Sequence, residues 1–137
     1  MGTRFASPDS LRGKILCPER KKQLIDYRGI RYGKGTPTDI DGFIEWHGKV
    51  FVFYEYKTGN NEMPFGQELA YTHLVDAIRD GGRYAVYFLC KHNTSVDEEI
   101  NGAECVVEKY YYNGKWYPGG GRTAKEVTDS FREFAGG

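Results

Sequence analysis

Long apolar runs are missing from this chain of 137 residues. No stretch approaches the roughly 18 residues of a membrane span. The opening MGTRFASPDS lacks the apolar core of a secretory leader, and Ala6 stands where a myristoylation signal has Ser or Thr. A cytoplasmic protein without membrane partners is expected. Cysteine is scarce: Cys17, Cys90 and Cys105 are far apart, odd in number and in no CxxC pair. A disulfide framework is thereby excluded. Cys90 and His92 are half of a zinc site whose other half is missing, so the thiols read as buried residues of a reducing compartment. The formal net charge is zero, which rules out a generally polybasic protein. No repeat or low-complexity tract occurs.

Aromatic residues are plentiful, with eleven Tyr, eight Phe and two Trp. The length suits one domain over 1–137, large enough for a core without disulfides. Charge is unevenly spread. Residues 1–38 hold nine Lys or Arg against three acids, and the rest of the chain carries the matching acidic surplus. Arg20, Lys21, Lys22, Arg31 and Lys34 could follow a phosphate backbone. A solvated helix face is the plainer reading of the same run.

CPERKKQLIDY (17–27) reads as a short helix with Pro18 in its first turn and Leu24 and Tyr27 as a thin apolar face. Gly29 ends it, and a loop or short strand at 30–32 follows. DIDGFIEW then alternates, His47-Gly48 makes a tight turn, and KVFVFYEYK continues as a strand rich in β-branched and aromatic residues, which makes a hairpin. The second strand is apolar on both faces and so central in its sheet. GQELAYTHLVDAIRD (66–80) has helical spacing, with Ala70, Leu74, Ala77 and Ile78 in one stripe, and Gly81-Gly82 stops it. RYAVYFLCK (83–91) is a buried strand. Residues 103–118 form a second hairpin about Asn113-Gly114. Thr123, with Glu126 three residues on, caps a last helix whose apolar face is Val127, Phe131 and Phe134. The fold class is α/β or α+β with a mixed central sheet.

The chemistry sits in the first hairpin. Side chains alternate along a strand, so Glu55 and Lys57 share a face, as do Asp39, Asp41 and Phe43. A turn at His47-Gly48 sets opposite each other residues whose numbers sum to about 95. Asp41 then falls near Tyr54 or Glu55, and Asp39 near Tyr56 or Lys57. Either way the carboxylates converge at one end of the sheet. Hard divalent cations take oxygen ligands, and Mg²⁺ keeps several waters beside one or two carboxylates. Lys57 adds positive charge where a phosphorane would develop it. Taken singly, the acids could serve strand-entry turns, Glu55 and Lys57 a cross-strand pair, Gln67 an exposed helix turn and Tyr71 the core. His47 suits a turn. Trp116 with Tyr110, Tyr111 and Tyr112 could stack bases but more simply covers a sheet.

Pro37-Thr38-Asp39-Ile40-Asp41-Gly42 followed by Glu55-Tyr56-Lys57 resembles the PD-(D/E)xK nuclease superfamily. Gln67 and Tyr71 resemble the Gln-x-x-x-Tyr helix of its RecB-like branch, EYKTG (55–59) is similar to the same branch, and Asp41-Gly42 is similar to the Asp-Gly of phage exonucleases. The likeness covers residues 17–91 and implies a restriction-endonuclease-like αβββαβ core, to which the hairpin and helix over 103–135 are added. It implies Asp41, Glu55 and the Tyr56 carbonyl as ligands of Mg²⁺ or Mn²⁺, Lys57 as the group that positions water, and Gln67 lining the site. Tyr71 would contact substrate or brace Gln67, and Glu19 would be a further acid from the first helix. The proline does not adjoin the acid, so either Asp39 or Asp41 could be the motif aspartate. Asp41 is favoured by its spacing to Glu55 and by Gly42.

The expected activity is hydrolysis of DNA, single-stranded, branched or duplex, leaving 5′-phosphate and 3′-hydroxyl ends, by a homodimer if both strands are cut. The rival expectation is a nuclease-fold module that binds nucleic acid or protein without cutting.

Overall fold

The computed structural model describes residues 26, 28–32, 39–58, 65–95 and 98–136. Most of the expected helix over 17–27 lies outside them, and with it Cys17, Glu19, Arg20, Lys21 and Lys22, as does Lys34. The chain divides into two compact units, Met1–Pro37 and Thr38–Gly137. In the first, Ile30 does not open a strand but ends a 3-10 turn, Arg28–Ile30. Arg28 clasps the Asp26 carboxylate through Nε at 3.0 Å and a terminal nitrogen at 2.9 Å. That exposed contact lowers the Asp26 carboxyl and raises the guanidinium.

The second unit runs β1 (Gly42–Trp46), β2 (Val50–Thr58), α1 (Phe65–Asp80), β3 (Tyr84–His92), a 3-10 turn (Gly102–Glu104), β4 (Val106–Tyr112), β5 (Lys115–Pro118) and α2 (Ala124–Ala135). The strands form one mixed sheet in the order β1-β2-β3-β4-β5. Only β2 and β3 are parallel, and α1 connects them, as a parallel pair requires. Of the expected αβββαβ order, the described residues supply the ββαβ part.

β2 is an interior strand between β1 and the central β3, with Val50, Val52, Phe53 and Tyr54 buried and Phe51 and Tyr56 partly so. Period-two alternation sends Val50, Val52 and Tyr54 to one face, where Val86, Phe88 and Cys90 of β3 and Val107 of β4 meet Ala124, Val127 and Phe131 of α2. The Tyr54 hydroxyl and Thr128 Oγ1, 2.6 Å apart, tie that helix to the sheet. Phe53, Ala85, Tyr87, Leu89 and Tyr111 take the other face, under Tyr71 and Val75 of α1. Glu55 and Lys57 follow Phe53 in phase and belong to the α1 face.

Two helix faces differ from the sequence reading. In α1, Ala70 and Ala77 are exposed, while Tyr71 and Val75 are buried and Leu74 and Ile78 partly so. A pair at i, i+4 with far more apolar area than two alanines decides which side of the helix turns inward. In α2, Val127 and Phe131 are buried but Phe134 is 63% exposed. It lies at the margin of the sheet, edge-on to Tyr84 at 5.8 Å and to Tyr112 at 5.9 Å. The expected capping box is present: Glu126 N donates to Thr123 Oγ1 at 3.2 Å, and Thr123 N to Glu126 Oε1 at 3.0 Å.

Candidate functional site

The first hairpin turn sets the geometry. His47 and Gly48 both have positive φ, 56° and 65°, the signature of a type I′ turn. Lys49 N closes it on Trp46 O at 2.9 Å. The ladder nevertheless begins with Trp46 opposite Val50, so Lys49 is an extra residue between turn and ladder. Paired numbers therefore sum to 96 rather than 95, with Gly42 opposite Tyr54. Continued beyond the last pair, this register sets Asp41 opposite Glu55 after one step and Asp39 opposite Lys57 after three. Because a one-residue slip changes the face of every side chain, this detail decides that the two carboxylates meet.

Glu55 is only 7% exposed. Tyr71 reaches it from α1: the phenol donates to Glu55 Oε2 at 2.6 Å, with the Asp39 carbonyl a longer second acceptor at 3.2 Å. Asp41 Oδ2 accepts from the backbone N–H of Tyr56 at 2.9 Å. A strand residue turns its N–H and C=O to the same side. The Tyr56 carbonyl thus faces the same edge, past the end of β1. Burial pushes the Glu55 carboxyl up, to about 7; the Tyr71 hydrogen bond opposes this, while Asp41, within hydrogen-bonding reach, and Asp39 add to it. Burial, helped by its bond to Glu55, raises the Tyr71 phenol.

Lys57 shares the face of Glu55 but is already partnered. Its Nζ lies 2.7 Å from Glu108 Oε1, and its side chain is buried. Glu108 was not singled out by sequence, and simple alternation along VVEKYYY would set it on the face away from Lys109. Leu89 pairs with Lys109 while Cys90 pairs with Val107, so Glu108 is the extra residue of a bulge. A bulge re-aims a side chain, and this one turns Glu108 towards Lys57. Nothing in the local sequence announces it.

Gln67 lies in the first turn of α1, half-buried, with no hydrogen bond among the described residues. Tyr71, one turn later, touches Glu55 directly instead of bracing Gln67. Arg31 is exposed in the first unit. His47 is a turn residue, and His73 is exposed on α1. Trp116 covers the sheet, edge-on to Tyr87 at 5.9 Å and Tyr111 at 5.2 Å, with Lys109 Nζ 4.3 Å from its ring centre. Lys109 is also paired with Glu68 of α1. Tyr87 was likewise missed. Its ring stacks on Tyr71 at 4.3 Å, and its buried hydroxyl has no hydrogen-bond partner among the described residues.

Among the described residues, no three His, Cys, Asp or Glu side chains are assembled into a metal-holding group. What is assembled is a pair, Asp41 and Glu55, with Asp39 nearby. Within the same residues no Lys or Arg forms an ion pair with any of the three. An acid pair without a cation is electrostatically unfavourable, and that is what raises Glu55 beyond the effect of burial. Two carboxylates and one carbonyl at a strand edge are a donor set that suits a hydrated Mg²⁺ or Mn²⁺. No helix among the described residues is long and apolar enough to cross a membrane. Compared with protein-family models, curated proteins and solved structures, the chain matches none.

Proposed function

We propose that this chain is a divalent-metal-dependent deoxyribonuclease with a restriction-endonuclease-like core of the PD-(D/E)xK type. The apposition of Asp41 and Glu55, with Lys57 two residues on along the same face, carries the reading. Asp41, Glu55 and the Tyr56 carbonyl would hold Mg²⁺ or Mn²⁺. Such an ion lowers the pKa of a bound water and offsets charge on phosphate oxygens.

The side chains have separable tasks. Tyr71 fixes the Glu55 carboxylate and favours its ionised form. The Tyr56 amide fixes Asp41. Lys57 offers a cation for the attacking water or the developing phosphorane charge, and Glu108 holds that ammonium in place until substrate competes for it. Gln67 would meet substrate from the first turn of α1. Arg20, Lys21, Lys22, Arg31 and Lys34 are proposed to contact the DNA backbone, with Glu19 as an additional acid. Asp39, whose carbonyl rather than carboxylate is engaged by Tyr71, takes the lesser role. Cutting of both strands would call for a homodimer.

The test is incubation with linear duplex, circular single-stranded and branched DNA in Mg²⁺, Mn²⁺ or chelator. The wild type is compared with Lys57→Ala and Glu55→Gln. Cleavage should require metal and fall by about 100-fold or more in either variant, on the scale of losing one charge-stabilising group, with the far-ultraviolet circular dichroism unchanged. Cleavage that persists in chelator would sink the proposal. A second reading rests on the Lys57–Glu108 pair, which would suit a non-catalytic binding module. DNA bound but never cut, equally well by wild type and Lys57→Ala, would favour it.

A further inference from the structure

The face of the sheet opposite the acid pair carries a feature that the proposed nuclease chemistry leaves unused. A solvent-facing cleft of about 310 Å³ lies between β3, β4, β5 and α2. Voids left by imperfect packing in a protein core seldom exceed the size of a water molecule. This one reaches the lower end of the range of small-molecule sites, about 300–1,000 Å³.

Its walls are flat rings. Tyr110 and Tyr117 stack at 5.2 Å and 18°, Phe88 meets Tyr110 edge-on at 5.7 Å, and Phe131 closes the helix side. Ring walls of this kind favour a planar guest, by dispersion and by offset or edge-to-face contact. Among the described residues one cation lines the cleft. Arg122 lines it, and its Nε donates to the Gly119 carbonyl at 3.1 Å, which fixes the guanidinium. The two terminal nitrogens of Arg122 have no hydrogen-bond acceptor among the described residues. Glu126, a carboxylate whose proton affinity Arg122 lowers, is committed to the Thr123 cap. A fixed guanidinium with two free donor nitrogens matches two oxygens of one anionic group. Ser130 adds a hydroxyl at the exposed rim.

We propose that this cleft binds a planar aromatic molecule bearing a single carboxylate or phosphate, the ring between Tyr110, Tyr117 and Phe131 and the anion on Arg122. The volume restricts the guest to about one or two fused rings. The site is independent of the acid pair, since it lies across the sheet and shares no residue with it.

Titrations of the ¹⁵N-labelled full chain test this, followed by amide shifts. The probes are dAMP and 4-hydroxybenzoate, which separate a phosphate-bearing from a carboxylate-bearing ring, with deoxyadenosine and inorganic phosphate as controls. At least one anionic ring compound should shift the amides of Tyr110, Tyr117, Arg122 and Phe131. Each control should bind at least tenfold more weakly. Arg122→Gln should weaken binding at least tenfold. Ser130→Phe, a change at an exposed helix position that fills the cleft without disturbing the core, should abolish it. Deoxyadenosine binding as tightly as dAMP would overturn the role of Arg122. The proposal also fails if neither anion shifts these amides at millimolar concentration, or if Ser130→Phe leaves binding intact. Concentration-dependent self-association that shifts the same amides without ligand would reassign the cleft to an interface between copies of this chain.

Discussion

Glu55 carries a carboxylate into a buried position at the site. It is buried, faces Asp41 across the hairpin, and is relieved by one phenol proton. The bond from Tyr71 favours the charged form, so deleting it must raise the carboxyl further above about 7. Tyr71→Phe keeps the ring stacked on Tyr87 and removes only that bond. A hydrogen bond to a charged group contributes about 1.5–3 kcal/mol, equivalent to about one pKa unit or more. The acid limb of the cleavage–pH profile should move upward by about one pH unit in Tyr71→Phe. An unmoved limb would mean that ionisation of Glu55 does not govern the reaction. The residues of this pair were legible in the sequence, because two acids and a lysine at strand spacing are an unusual use of a hairpin. The brace was not. A helical tyrosine among apolar neighbours reads equally as core, and Tyr71 serves both purposes.

At the scale of elements, two single-residue irregularities shape the site. Lys49 shifts the first hairpin so that Asp41 meets Glu55, and Glu108 bulges from β4 to reach Lys57. The bulge is pinned from behind by Gly119, whose N–H donates to the Glu108 carbonyl at 3.0 Å. A Cβ on Gly119 would lie 1.8 Å from the Val107 carbonyl oxygen, so β4 and β5 could not both keep their places. Gly119→Ala should therefore destabilise the protein by about 2–4 kcal/mol, the scale of overpacking at a rigid contact. Urea denaturation measures it, and a midpoint equal to wild type would show that the two strands are not held as tightly as the contact implies. Hairpins announced themselves through His47-Gly48 and Asn113-Gly114, and the last helix through its capping box. The faces of the helices were less legible, since periodicity alone did not weigh Tyr71 and Val75 against Ala70 and Ala77.

For the whole molecule, the raised Glu55 carboxyl links folding to pH. In the unfolded chain the group titrates near 4.5, and in the folded chain near 7. Below about 4.5 both states hold the proton and folding incurs no penalty. Between about 4.5 and about 7 the unfolded chain gives up its proton while the folded one keeps it, so stability falls as pH rises. The full loss, reached above pH 7, is roughly 3 kcal/mol. In chelator the wild-type melting temperature should decline across this window, and Glu55→Gln should flatten the decline. A cation bound at the proposed site would restore the loss: at pH 8, Mg²⁺ should raise the wild-type melting temperature and leave that of Glu55→Gln unchanged. Equal slopes with and without Glu55 would remove the acid pair as the source. From Gly42 to Ala135, strand and helix identities, the two turns and the chemical cast of Asp41, Glu55 and Lys57 were determined by the sequence alone, because periodicity, turn residues and charge are local properties. Only the tertiary structure decided that Asp41 faces Glu55, that Tyr71 holds it and that Glu108 takes Lys57. Those outcomes depend on a one-residue offset, a bulge and the rotation of a helix, each set by packing among strands distant in sequence.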